Sequence, residues 1–162
     1  WMSIEWLKYG KPSALGLVTG MVAGLATITP ASGFVGPGGA LVIGIAGGGI
    51  CFLATNFIKR SLKIDDSLDV FPVHGVGGAL GMLLTSIFAS STIGAFSGQG
   101  LESMSDQFAV QLIAVVSVLV YTAIITWVLL KLTESIVGNR VPSDDEVDGL
   151  DLGSHNERGY DM

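Results

Sequence analysis

His74 is the residue of this sequence best placed to do chemistry in an apolar setting. It stands in the run Val70-Phe71-Pro72-Val73-His74-Gly75-Val76-Gly77-Gly78, and within Asp69 to Ala89 the only other ionisable side chain is Asp69 itself, at the start. An ionisable group inside such a stretch is costly in hydrocarbon and by default marks a pathway or a partnered site. On a uniform α-helix Val70, His74, Gly77, Gly78, Gly81 and Thr85 share one face. Small residues beside an imidazole leave a narrow apolar slot with one group able to donate and accept a hydrogen bond. That chemistry suits a small, neutral, hydrogen-bonding solute. The plain alternative is a neutral histidine that hydrogen-bonds a neighbouring helix and serves packing. A metal site is disfavoured, because no second His, Cys or acid stands at ligand spacing on that face. An intramembrane enzyme using His74 as acid or base lacks a nucleophile, a second titratable group and a metal set nearby. Neither a cofactor nor an enzymatic activity is expected. Cys51 is alone in an apolar run, which excludes an intramolecular disulfide and reads as a buried, inert thiol.

The elements that must hold His74 are apolar and long. The segments 12–30, 36–57, 69–89 and 108–137 each approach or exceed the roughly 20 helical residues that cross a hydrocarbon core. Backbone groups in lipid must pair internally, and runs so continuously apolar are not alternating barrel strands. The expected fold class is therefore all-α, a polytopic transmembrane helical bundle. Residues 1–137 form the membrane region and 138–162 an acidic tail. Pro12 suits a first helical turn, and Asp65, Asp66 and Ser67 offer cap oxygens ahead of the third span. Pro72 either tilts that span or marks its start. Thr29-Pro30-Ala31-Ser32-Gly33 and Gly36-Pro37-Gly38-Gly39 bracket a short turn between antiparallel helices. Glycines four apart (Gly16, Gly20 and Gly24; Gly44 and Gly48; Gly77 and Gly81) predict close helix packing, a feature of many polytopic proteins that says little about substrate. Trp1 and Trp6 are expected at a membrane interface.

Charge gives the orientation. Hydrophobic residues make up 49% of the chain and charged ones only 14%, a balance that points to lipid as the solvent. The net charge of −6 sits almost wholly in the tail, where Asp144, Asp145, Glu146, Asp148, Asp151, Glu157 and Asp161 face only Arg140 and Arg158. The body is close to neutral, so nucleic acid is excluded as a partner. Lys8 and Lys11, then Lys59, Arg60 and Lys63, then Arg140 alternate with connections 31–35 and 90–107, which hold no Lys or Arg, only Glu102 and Asp106. The positive-inside rule puts the basic connections and the tail in the cytoplasm. The chain opens on Trp1 without an initiator Met and shows no secretory signal, and Trp1 to Gly10 reads as the end of a preceding helix. It is expected to be part of a longer chain.

Ordered runs of residues then resemble one family. Lys11-Pro12-Ser13, the Thr29–Gly33 turn with Gly38-Gly39-Ala40, Asp65-Asp66-Ser67-Leu68-Asp69-Val70-Phe71-Pro72-Val73-His74-Gly75, and Gly149-Leu150-Asp151 with Ser154-His155 and Tyr160 are similar, in that order, to the ammonium transporter family. The likeness covers essentially the whole chain. It implies an eleven-helix subunit in a homotrimer, each subunit enclosing a pore in the plasma membrane. Ammonium is recruited outside and deprotonated, and ammonia passes two hydrogen-bonded histidines. By resemblance His74 is the second of these and Val70 lines the pore beside it. The four spans correspond to the last four helices, with Trp1 to Gly10 ending the seventh. The first histidine, the phenylalanine gate and the external site belong upstream, so these residues alone would be a non-conducting fragment. The tail by composition reads as a disordered cytoplasmic end; the resemblance implies instead that it packs on the cytoplasmic face and takes part in block by a PII signalling protein, with Gly149, Leu150, Asp151, His155 and Tyr160 regulatory. An ammonium sensor of the same fold is the rival, disfavoured because it would continue into a signalling domain. One tension stands: at about 1.5 Å per residue from Asp69, His74 lies only some 8 Å into its helix, short of the mid-membrane depth the family implies.

Overall fold

The computed structural model describes residues 1–90, 92–93 and 103–157. It divides into two units, Trp1–Val116 and Ser117–Met162. The first contains α1 (Met2–Tyr9), α2 (Ala14–Ile28), α3 (Pro37–Asn56) and α4 (Gly77–Phe88). A π-helical turn, Phe57–Ser61, prolongs α3, and another, Phe71–Val76, leads into α4. Helix α5 (Met104–Ile136) is continuous across the boundary, and the short α6 (Ser143–Asp148) and α7 (Leu150–His155) follow. Among the described residues four helices are long and apolar enough to cross a membrane: Ala14–Ala31, Pro37–Ser61, Phe71–Phe88 and Met104–Ile136. The architecture is all-α, a polytopic helical bundle.

Local chemistry sets the helix starts. The Ser13 side chain accepts the amide of Gly16 at 2.8 Å, so Ser13 is the N-cap of α2 and Pro12 precedes the cap instead of occupying the first turn. Ser13 holds this role because the Glu5 carboxylate accepts both its backbone N–H at 3.0 Å and its hydroxyl at 2.8 Å. Pro37 takes the first position of α3, where its missing N–H costs nothing. The turn before it needs Gly33, whose φ of 85° lies in the left-handed region open to glycine.

The three spans of the first unit meet at Thr27. This side chain is fully buried, and its hydroxyl turns back to the Ala23 carbonyl at 2.8 Å. Around it the neighbouring helices offer the Cys51 side chain and three glycines. A Cβ on Gly47 would collide with the Thr27 hydroxyl, one on Gly77 would lie 3.0 Å from it, and one on Gly81 would fall on the Thr27 backbone carbonyl. In a medium where apolar side chains gain little by leaving lipid, such approach is a principal source of helix association. The contact glycine of α3 is thus Gly47. Gly44 and Gly48 of the four-residue series make no such contact: a Cβ on Gly44 meets nothing within 4 Å, and one on Gly48 only the Trp1 amino nitrogen at 3.6 Å. Below Thr27, Ala23, Cys51 and Val73 form a small buried core against which Trp1 packs. Trp1 lies edge-on to Phe52 at 5.3 Å and closes on Gly20, so it packs within the bundle; Trp6 is exposed.

The ends of the bundle differ in kind. At one, Arg60 approaches the Tyr9 hydroxyl at 3.5 Å and Lys59 meets Asp69 at 2.7 Å. At the other, Ser90 donates its amide to the Phe34 carbonyl at 2.8 Å beside a single Val35–Ala89 bridge. The basic residues of the first unit thus gather where α3 ends and α4 is about to begin. Most of the following connection, including Glu102, lies outside the described residues.

Candidate functional site

The segment that carries His74 is built from its acids. Both oxygens of Asp66 are used, accepting the amides of Val70 at 2.9 Å and Phe71 at 2.8 Å. Of the three candidates for the cap the structure selects Asp66, the one whose carboxylate reaches two orphan donors at the positive end of the helix. Asp66→Ala is expected to weaken the start of this helix by about 1–2 kcal/mol, read as faster hydrogen exchange at the Val70 and Phe71 amides. Asp69 has φ of 56°, rare for a residue with a Cβ, and its carbonyl accepts the Val73 amide at 3.0 Å. Its carboxylate is mostly buried and meets the Lys59 ammonium in an ion pair whose angles are not those of a hydrogen bond. The pair ties the start of the third span to the last turn of the second.

The π turn splits the face that a uniform helix would have formed. Gly77, Gly81 and Thr85 are buried, as are Pro72 and Val73. Val70 and His74 are exposed on the open side of the first unit, and a Cβ on Gly78 would meet nothing within 4 Å. A turn closed over five residues instead of four slips the phase by about one residue. That slip carries Val70 and His74 off the line of Gly77, Gly81 and Thr85. Pro72 at the start of the turn lacks only an amide that would have gone unpaired there. Val70 and His74 remain one turn apart on the same open side. Among the described residues no side chain hydrogen-bonds the imidazole, and no group of three or more His, Cys, Asp or Glu could hold a metal ion. Cys51 is fully buried against Ala23 and Val73.

The tail residues lie in the second unit. Arg140 grips Glu146 through two nitrogens, at 2.7 and 3.1 Å, and so fixes the approach to α6. Gly149, with φ of 95°, turns the chain from α6 into α7. Asp151 then sits in the first turn of α7 and His155 in its last, each on the side that the helix dipole favours. Leu150 is exposed, and Tyr160 lies outside the described residues. In place of a wholly disordered end, the described part of the tail holds two short helices.

The sequence model of the Ammonium Transporter Family matches residues 1–160. The chain belongs to the ammonium transporter family. It is 45% identical over 161 residues to the ammonium transporter Amt1 of Archaeoglobus fulgidus, covering 99% of this chain and 40% of that protein. With the ammonium transporter of Bacillus subtilis the identity is 37% over 161 residues, again 99% of this chain and 40% of the relative. The crystal structure of Saccharomyces cerevisiae Mep2 superposes with a TM-score of 0.79 at 37% identity, over 89% of this chain and 34% of that one. A solved sensor Amt protein superposes with a TM-score of 0.81 at 29% identity, covering 93% of this chain and 36% of that one. The chain thus spans about 40% of the length of the curated relatives it matches. Its helices have the ammonium transporter fold, and it is a multi-pass membrane protein.

Sequence reasoning missed the partner of Asp69. Lys59 was visible as a basic residue of the connection after the second span, but nine residues, the end of a π turn and then non-helical chain, separate it from Asp69, and no fixed spacing predicts that contact.

Proposed function

We propose that this chain is the pore-forming C-terminal part of a channel or transporter that moves ammonium, as ammonia, across the plasma membrane. The observation that carries the reading is the position of His74. In a chain of this family the imidazole and Val70 stand on an open side of an apolar bundle, with the imidazole unpartnered among the described residues. A polar ring at membrane depth belongs on a bundle interior or a solute path, not against acyl chains. An imidazole can accept a hydrogen bond from ammonia or donate one to it, and apolar surroundings favour the neutral solute over the ion. Residues 1–137 are the membrane part and 138–162 a cytoplasmic tail, oriented by the alternation of Lys and Arg.

Transport is favoured over sensing because the relatives named as ammonium transporters are 45% and 37% identical, whereas the sensor Amt structure is 29% identical. The assembled protein is a homotrimer in this reading. The tail offers Gly149, Leu150, Asp151, His155 and Tyr160 to a PII signalling protein at the cytoplasmic face. The test is saturable uptake of labelled methylammonium by the full-length protein in cells lacking other ammonium carriers. Uptake above the empty-vector level is expected, and a protein that reaches the membrane yet carries none would remove the transport reading.

A further inference from the structure

We propose that Lys59 is a positioning residue for His74, acting through Asp69, and this rests on the reading of His74 as a pathway residue. The imidazole has no hydrogen bond of its own among the described residues, so the direction of the ring is set by the backbone turn beneath it. That turn is a π turn, a form of the helix often found at functional sites and poorer in geometry than the α form it interrupts. Its front is held at two points. Asp66 takes the amides of Val70 and Phe71, and Asp69 takes the amide of Val73, the residue before His74. Asp69 does so from a left-handed conformation, one that a side-chain-bearing residue keeps when its surroundings over-determine it.

What over-determines it is Lys59. The Asp69 side chain is 17% exposed, and the Lys59 ammonium lies 2.7 Å from its Oδ1. Exposed ion pairs contribute little, but this carboxylate is withdrawn from water, and removing its cation leaves a buried charge without compensation. The carboxylate would then turn toward solvent and draw Asp69 out of the left-handed region. The π turn would relax toward a uniform α-helix and carry His74 by about one residue of phase toward the Gly77, Gly81 and Thr85 line. Lys59 sits at the end of a different span from His74, so the pair ties the register of one helix to the end of another.

The experiment uses the full-length protein with Lys59→Met, Lys59→Arg and the double variant Lys59→Met/Asp69→Asn. Two quantities are measured: methylammonium uptake against substrate concentration at matched membrane abundance, and the ¹⁵N imidazole resonances of His74, assigned by their loss in His74→Gln. Lys59→Met is expected to lower the maximal rate by about tenfold to a hundredfold, with little change in KM, and to move the His74 resonances, as misplacement of a reacting group does. Lys59→Arg should keep both near wild type, and the double variant, which leaves no bare charge, should recover part of each. If Lys59→Met fails to accumulate, the double variant carries the test. Unmoved resonances overturn the proposal whatever uptake does, and moved resonances with a wild-type rate overturn it equally. If the wild-type protein carries no methylammonium, the transport reading falls and the resonances alone decide whether Lys59 sets the geometry of His74.

Discussion

Gly81→Ala is expected to destabilise the full-length protein by about 3 kcal/mol, at the upper end of the usual cost of overpacking. The added methyl would lie on the Thr27 carbonyl oxygen, 2.9 Å from the carbonyl carbon and 3.2 Å from Pro30 Cδ. None of these atoms can rotate away. The carbonyl belongs to the backbone of α2, and Pro30 is locked in the 3₁₀ turn Thr29–Ala31 that ends that span. The helices themselves must therefore part, and Thr27 takes with it the contact it makes to Gly47. Gly47→Ala is the informative comparison, because its methyl meets the Thr27 side chain, which can change rotamer at the cost of its bond to Ala23. The two substitutions add the same group to the same junction, so a larger loss at Gly81 isolates the effect of backbone against backbone. Thermal unfolding of the purified protein, read as the fraction remaining monodisperse and soluble after heating, measures both. A Gly81→Ala protein as stable as wild type would mean that α2 and α4 do not approach this closely.

How much of this arrangement the residues disclosed depends on the kind of signal. Spans are legible because a hydrocarbon core demands about 20 apolar helical residues and a charge every few residues ends them. Pro37 and Gly33 are legible because proline and glycine permit few backbone states. The Gly77 and Gly81 contact is legible as a spacing, but which glycine of α3 answers it is not. Gly44, Gly47, Gly48 and Gly49 are equal candidates until the rotation of the helix is known, and rotation is a tertiary property. The same limit explains the divided face of the third span. Counting by 3.6 residues places His74 with Gly77, Gly81 and Thr85, and only the π turn at Phe71–Val76 removes it. Nothing in the composition of that turn demands the longer closure; it is met only in space, where Asp66 and Asp69 hold the amides of Val70, Phe71 and Val73 at its front. The division among Asp65, Asp66 and Ser67 is likewise decided by reach, since all three side chains can cap and one is in range. Tail helices as short as α6 and α7 have almost no hydrophobic periodicity to read, and their local support, Arg140 on Glu146 and the turn at Gly149, emerges only in space.

His74→Ala is expected to reduce methylammonium uptake on the order of tenfold to a hundredfold without lowering the amount of protein in the membrane. The two halves of that outcome come from different observations. The ring is exposed and carries no hydrogen bond among the described residues, so within this bundle its removal leaves no cavity and strands no partner; stability is spared where Gly81→Ala loses it. A solute that has given up its water needs a replacement for each hydrogen bond, and a strong one is worth about 1.5–3 kcal/mol, which converts to the stated range in rate. Alanine offers nothing in exchange. Glutamine, which keeps a donor and an acceptor at nearly the same reach, should retain more uptake than alanine does. The order wild type, His74→Gln, His74→Ala in maximal rate, at equal membrane abundance, is therefore the prediction. If instead the ring only packs against another helix, the alanine protein would carry substrate at the wild-type rate and fail on heating, the reverse pattern in both measurements. Equal uptake in all three proteins would leave the open side of α4 without a role in the pathway, and the solute would have to cross elsewhere in the subunit.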